Sequence, residues 1–244
     1  MSIPKKIHYC WFGRGSLPKS AERCIESWKR FCPGFEIICH NEDNFGLTEN
    51  LYASEAYKAE KWAFVSDYAR LKVIYDIGGI YLDTDVELLK PLEPLLETNG
   101  YMGFEHGDAV ATGLGFAAEP GDRIVGEMLK DYENIHFVQP DGTLDLTPCP
   151  KRNTETLKRL GMKIENEKQI FMGMTFLPSD YLCPMDYYTG KIEITENTYS
   201  IHHYSASWTS KVSKRTTRIK RIIGTKNYDK LYGKFLHRFK WLEW

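Results

Sequence analysis

The chain has 244 residues, 42% apolar, 14% aromatic and 27% charged, with a net charge of -1. That balance fits a soluble globular protein of one large or two small domains and excludes a disordered or fibrous chain. No apolar run approaches the roughly 18 residues of a membrane-spanning helix, and the six cysteines include no Cys-x-x-Cys pair, which argues against a disulfide framework or a zinc site. The leading segment MSIPKKIHYCWFG has two lysines but no apolar stretch with a small-residue cleavage site. No signal peptide and a cytoplasmic setting are therefore expected. Charge is unevenly distributed: residues 211–244 carry eleven Lys/Arg against two acids, while residues 1–210 carry 21 basic and 31 acidic residues. A basic tail on an acidic body points to an anionic partner for the tail alone.

In chain order, residues 7–12 (IHYCWF) form a short β-type run ended by Gly13-Arg14-Gly15. Ala21, Cys24, Ile25 and Trp28 recur at helical spacing across 20–31, and Pro33-Gly34 stops that helix. Residues 35–39 (FEIIC) read as a second strand. A long helix is predicted over 55–75, where Ala56, Ala59, Ala63, Tyr68, Leu71 and Ile74 repeat at three to five residues; Gly78-Gly79 ends it. The strand GGIYLDTDV follows. Such alternation argues for an α/β domain with a mostly parallel sheet. Further on, strands are predicted over 102–105 and 114–118, helices over 123–132 and 153–160, and a strand over 198–204 (TYSIHHY).

Asp83 and Asp85 are the first candidates for chemistry. Placed on a strand they point to one side, because side chains alternate with period two. Ligands of open α/β sheets gather beyond the carboxyl ends of the strands. Two hard oxygen ligands there suit Mg²⁺ or Mn²⁺. The plain alternative is a solvated acidic turn. Upstream, Asp67 and Arg70 stand three residues apart on one helix face; the helix runs into the strand through Gly78-Gly79, so both can reach the same cleft.

The run WAFVSDYARLKVIYDIGGIYLDTDVELLKPL resembles the signature of glycosyltransferases with a DxD-containing sugar-binding region. That family resembles initiating mannosyltransferases, bacterial capsular-polysaccharide transferases and clostridial glucosylating toxin domains. The likeness spans about residues 3–208: IPKKIHYCWFG, Ser66-Asp67-x-x-Arg70, Gly78-Gly79-x-Tyr81-x-Asp83-x-Asp85, His202-His203 and Ser207-Trp208. It implies a GT-A, Rossmann-like nucleotide-sugar-binding fold, a nucleotide-sugar donor (a UDP-sugar favoured) and a divalent metal. On that pattern Asp85 binds the metal directly, and Asp83 contacts the donor and reaches the metal through water. Asp67, Arg70 and Tyr81 hold the donor, Arg70 together with the metal stabilises the leaving diphosphate, Trp11 stacks on the base, and Ser207 and Trp208 cover the donor. Trp11 reads equally well as core, since its surroundings are apolar. His202 and His203 point to opposite strand faces, so one of the two reaches the metal, and the resemblance favours His202. Residues 112–116 (TGLGF) are only similar to the acceptor-facing stretch of relatives.

The resemblance further implies a transfer that retains anomeric configuration, through front-face displacement without an enzymic nucleophile. Two other classes compete: a glycoside hydrolase, whose carboxylates must flank a scissile bond, and a non-catalytic carbohydrate-binding module, which needs no such set of four residues. Within the family, a toxin-like protein glycosyltransferase competes with a biosynthetic enzyme of capsular or surface polysaccharide acting on a saccharide, often polyprenyl-diphosphate-linked. Residues 1–210 thus read as the catalytic domain and 211–244 as a basic amphipathic helical tail. In it Leu231, Phe235, Phe239 and Leu242 share a face flanked by Lys/Arg, the form of a helix lying on an anionic membrane surface. No nucleic-acid motif accompanies it.

Overall fold

The computed structural model describes residues 2–105, 108–187 and 189–205, so Ser207, Trp208 and the tail 211–244 lie outside the described residues. The elements are β1 (Lys6–Cys10), α1 (Lys19–Phe31), β2 (Glu36–His40), α2 (Leu51–Lys58), α3 (Trp62–Ile77), β3 (Gly79–Tyr81), β4 (Val86–Leu88), β5 (Gly100–Glu105), β6 (Ala109–Val110), β7 (Phe116–Ala118), α4 (Arg123–Lys130), α5 (Cys149–Arg159), β8 (Gln169–Phe171), β9 (Met174–Leu177), α6 (Ser179–Leu182) and β10 (Ser200–His202).

The main sheet has the order β2-β1-β3-β7-β5-β9-β8 with β6 on β5, and β4 pairs with β10 in a small separate sheet. Pairings β1–β2, β1–β3 and β5–β9 are parallel, whereas β7 is antiparallel to both β3 and β5. Hence β2, β1, β3, β5 and β9 all run one way. The expected α/β architecture with a mostly parallel sheet holds in strand direction, and β7 and β8 run against it.

Alternation along the strands divides the core in two. Tyr81, Met102, Phe104, Phe116 and Phe176 turn toward the layer of α2, α3, α4 and α5. Ile80, Leu82, Tyr101, Ala117 and Leu177 turn toward α1 and β4. Trp28 of α1 is fully buried there, and its Nε1–H donates to the Val86 carbonyl at 2.7 Å. Truncating a buried aromatic of that size costs about 3–5 kcal/mol. Here it would also release the strand that follows the aspartate pair.

Two sequence expectations are corrected. The helix predicted over 55–75 is two helices, α2 and α3. Glu60 adopts φ 56, Lys61 N–H donates to the Ala56 carbonyl and Glu60 N–H to that of Tyr57. This is a Schellman stop with glutamate where glycine usually stands, so no glycine marks the break. The second correction concerns the aspartates. β3 ends at Tyr81, and Asp83–Val86 is a turn closed by Val86 N–H to the Asp83 carbonyl at 3.0 Å. Asp83 and Asp85 are neighbours through that turn and not by strand alternation. Gly78 and Gly79, at φ 72 and 112, allow the approach; a Cβ on Gly79 would lie 2.8 Å from the Lys6 carbonyl.

Candidate metal centre

The carboxyl ends of β1 and β3 point to the same edge of the sheet, and the predicted residues collect there. Arg70 lies on the buried face of α3, its side chain 4% exposed, with Nη2 3.0 Å from Asp67 Oδ1 and 3.2 Å from Asp83 Oδ1. Its Nε–H donates to the Ser66 carbonyl at 3.1 Å, and Nη1 approaches Cys149 Sγ at 3.6 Å. The guanidinium sits 5.0 Å from the centroid of the Tyr81 ring, whose hydroxyl donates to Asp83 Oδ1 at 2.8 Å. One planar cation thus joins two carboxylates that come from different elements, as a guanidinium fork suits. Gly113, in the turn before β7, closes over the group. A Cβ there would fall 2.4 Å from Asp83 Oδ2 and 3.0 Å from Arg70 Nη1.

Asp85 is held from the other side. Its Oδ1 lies 3.2 Å from His202 Nε2, and its Oδ2 accepts from both the backbone N–H and the hydroxyl of Ser205 at 2.8 Å each. β10 pairs with β4 so that His202 stands opposite Val86. His203 points the other way and meets Glu87 at 2.8 Å. Of the two histidines, geometry brings His202 to the aspartates.

Ionisation follows from burial and neighbours. Burial pushes Asp67 up to about 6, with Arg70 restraining the rise and Asp83 adding to it. Asp83 is also raised, mainly by burial, against the pull of Arg70. Desolvation of the partly buried Asp85 works the same way, yet the His202 charge and the Ser205 hydrogen bonds outweigh it and hold Asp85 well below the usual carboxylate range. His202 is raised despite burial, because Asp85 and Asp83 favour its cation.

Among the described residues, Asp83, Asp85 and His202 bring one ligand atom each to within 4.8 Å of one another. Two carboxylates and an imidazole form a hard oxygen and nitrogen set that fits Mn²⁺ or Mg²⁺. A metal would take the place of the proton shared by His202 and Asp85, since ligands bind deprotonated. Trp11 follows β1 at the same sheet edge, half-buried, with its Nε1–H on the Gly15 carbonyl at 2.6 Å. The six cysteines are free, and no helix among the described residues is long and apolar enough to cross a membrane.

Sequence reasoning missed Ser205 and Cys149, and placed Gly113 only within the stretch 112–116 similar to an acceptor-facing segment. Ser205 has no signal apart from its place in the fold. Cys149 opens α5, which begins four residues before the predicted helix because Pro150 is tolerated in a first turn.

Residues 18–101 match the family described as glycosyltransferase sugar-binding region containing DXD motif. Inositol phosphoceramide mannosyltransferase 1 of Schizosaccharomyces pombe is 28% identical over 105 residues, 38% of this chain and 31% of that protein. The matched part therefore spans about a third of that relative. Among solved structures, a glycosyltransferase involved in glycosylation of the PBCV-1 major capsid is 13% identical at TM-score 0.47, covering 87% of this chain and 98% of that one. The galactosyltransferase LgtC is 13% identical at TM-score 0.41, covering 94% and 95%. The matched residues 18–101, similar to the DXD-containing sugar-binding region of glycosyltransferases, hold the Asp67–Arg70 pair and the Asp83-x-Asp85 turn.

Proposed function

We propose that the protein is a metal-dependent, retaining glycosyltransferase of GT-A type that moves a sugar from a nucleotide-sugar, a UDP-sugar in the first instance, to a saccharide acceptor. The observation that carries this is the joint presence of the Asp83–Asp85–His202 ligand set and the buried Asp67–Arg70 pair at one sheet edge. Hydrolysis fits less well. Hydrolase carboxylates stand about 5–5.5 or 6.5–9.5 Å apart across a scissile bond, whereas these ligand atoms converge within 4.8 Å.

In this reading Asp85, Asp83 and His202 hold Mn²⁺ or Mg²⁺, which when bound offsets charge on the departing diphosphate. Trp11 stacks on the base, and Asp67 accepts hydrogen bonds from donor-sugar hydroxyls. Arg70 is nearly fully buried and its fork is committed to Asp67 and Asp83. Its part is to hold both carboxylates in place. Ser205 anchors Asp85 at the start of the segment that leads to Ser207 and Trp208. No enzymic nucleophile is required if the leaving phosphate accepts the acceptor's proton.

The acceptor is proposed to be lipid-linked, in surface-polysaccharide synthesis at the inner face of the cell membrane. The basic amphipathic sequence 211–244 supports this, as does a relative named for mannosyl transfer to inositol phosphoceramide. The test is hydrolysis of a panel of UDP- and GDP-sugars, GDP-mannose included, with Mn²⁺ and with EDTA. Metal-dependent nucleotide release from at least one donor is expected, and none from any donor overturns the reading. Sedimentation with anionic vesicles, lost on truncation after Ser210, tests the membrane part separately.

A further inference from the structure

The segment that carries His202 to the aspartates is laid along α6 residue by residue. Thr198 Oγ1–H donates to the Asp180 carbonyl at 2.8 Å, Tyr199 N–H to that of Tyr181 at 2.8 Å, and Ser200 Oγ–H to that of Leu182 at 3.4 Å. Cys183, just past α6, completes the series: its thiol lies 2.9 Å from the Tyr204 hydroxyl. α6 is itself pressed on the main sheet, since a Cβ on Gly103 of β5 would fall 2.8 Å from the Leu182 side chain. Four successive positions of one element thus back the strand that bears the histidine.

Beyond β10 the chain wraps around Asp85. His203 N–H donates to the Asp85 carbonyl at 2.9 Å, and Ser205 returns to the Asp85 carboxylate through its N–H and its hydroxyl. Between them Tyr204 adopts φ 48, a left-handed conformation that a bulky residue keeps only where its surroundings impose it. Its ring stands edge to face against the His202 imidazole, centroids 4.4 Å apart, and against Tyr187 at 5.1 Å. A metal-ligating histidine ordinarily has its second ring nitrogen hydrogen-bonded, which fixes the orientation of the ring. His202 Nδ1 is shut off from solvent and has no hydrogen-bond partner among the described residues.

We propose that Tyr204 is a positioning residue for the metal-ligand set. Its ring fixes the His202 imidazole in place of the usual hydrogen bond, its contact with Cys183 fixes the ring on α6, and its left-handed backbone returns Ser205 to Asp85. The metal part of this rests on the metal-dependent function proposed above. One residue then holds two ligands from distant parts of the chain, and α6 carries the rigidity of the main sheet to both.

The test is Mn²⁺ binding to the metal-free protein, read by the electron paramagnetic resonance of the free ion with and without UDP. It compares wild type with Tyr204→Leu, Tyr204→Phe and Cys183→Ala, with melting temperatures alongside. Tyr204→Leu lacks both ring and hydroxyl and should bind Mn²⁺ about tenfold to a hundredfold more weakly, the range for outer contacts of metal ligands. Tyr204→Phe keeps the ring and should recover most of that loss, with binding about threefold below wild type. Cys183→Ala should match it, and the double variant should be no weaker than either, because both remove one shared contact. Wild-type Mn²⁺ affinity in Tyr204→Leu overturns the proposal even if that protein melts lower, since a merely structural residue would move the melting temperature alone. Tyr204→Phe as weak as Tyr204→Leu overturns the role of the ring, and additivity with Cys183→Ala overturns that of the thiol. Should Tyr204→Leu fail to fold, Tyr204→Phe and Cys183→Ala decide, and wild-type affinity in both overturns the proposal. A wild type that binds no Mn²⁺ under either condition overturns the ligand set, and the proposal with it. Wild-type-like binding by the variants overturns the proposal and leaves the ligand set standing.

Discussion

Two histidines, His8 fully buried and His202 partly so, flank β3 and show opposite charge behaviour. At its leading end His8 Nε2 lies 3.0 Å from the Gly78 carbonyl and His8 Nδ1 lies 2.9 Å from His40 Nε2. A carbonyl only accepts, so His8 carries its proton on Nε2 and accepts from His40 at Nδ1. Burial, then the neighbouring His40, lowers His8 to about 4. At the trailing end His202 is largely shielded from solvent, but two aspartates face it and its pKa is raised. Burial alone disfavours both cations; the sign of the neighbouring charge decides between them. The leading end is a neutral structural joint. The trailing end is a site where two aspartates favour the imidazolium.

The comparison breaks most sharply at Asp85. Asp85→Ala should lower turnover by about 10³-fold or more while far-ultraviolet circular dichroism stays native, because the charge facing metal and imidazole is gone. The His202 imidazole, followed by NMR, should then titrate lower. An active Asp85→Ala protein would remove the metal assignment. Arg70→Lys should follow, with a loss of about 10²-fold, since a point charge does not hold two carboxylates at once. Wild-type kinetics for this variant would relieve Arg70 of its clamping role.

Acid should strike the leading end. His8 has a folded pKa near 4, below its unfolded 6.5, so its contribution is complete above 6.5 and is lost as pH falls toward 4. That amounts to about 3 kcal/mol. Denaturant unfolding of wild type and His8→Gln at pH 7 and pH 4 checks it, and equal slopes with pH would refute it. At the trailing end the sign reverses for metal: Mn²⁺ affinity should increase with pH as His202 loses its proton.

Smaller effects sharpen the boundary of the site. Trp11→Ala should weaken donor binding by about 1–3 kcal/mol with less change in maximal rate, by analogy with base stacking elsewhere. Unchanged nucleotide affinity would leave Trp11 without a donor role. Glu60→Gly, away from both histidines, should raise stability by about 0.5–1 kcal/mol through relief of left-handed strain. It should leave the pH dependence and donor affinity as they were, and a shift in either would mean the α2–α3 break serves the site.

The sequence alone determined what depends on local period and residue chemistry. Strand and helix order came from apolar spacing, the Asp67–Arg70 pairing from helical geometry, and the hard ligand chemistry from the aspartates themselves. Tertiary structure decided everything that joins distant segments. The α2–α3 break was illegible because Glu60 takes a conformation that glycine normally advertises. The antiparallel placement of β7 between β3 and β5 carries no local signature, because pairing direction is set by connections and not by the three residues of the strand. The aspartates meet in a turn whose geometry depends on Trp28 gripping Val86 from another element. Asp85 acquires its low pKa only when His202 and Ser205 arrive from 117 and 120 residues away. Electrostatics fall off with distance in space and not along the chain, so the charge state of the site exists only in the folded molecule.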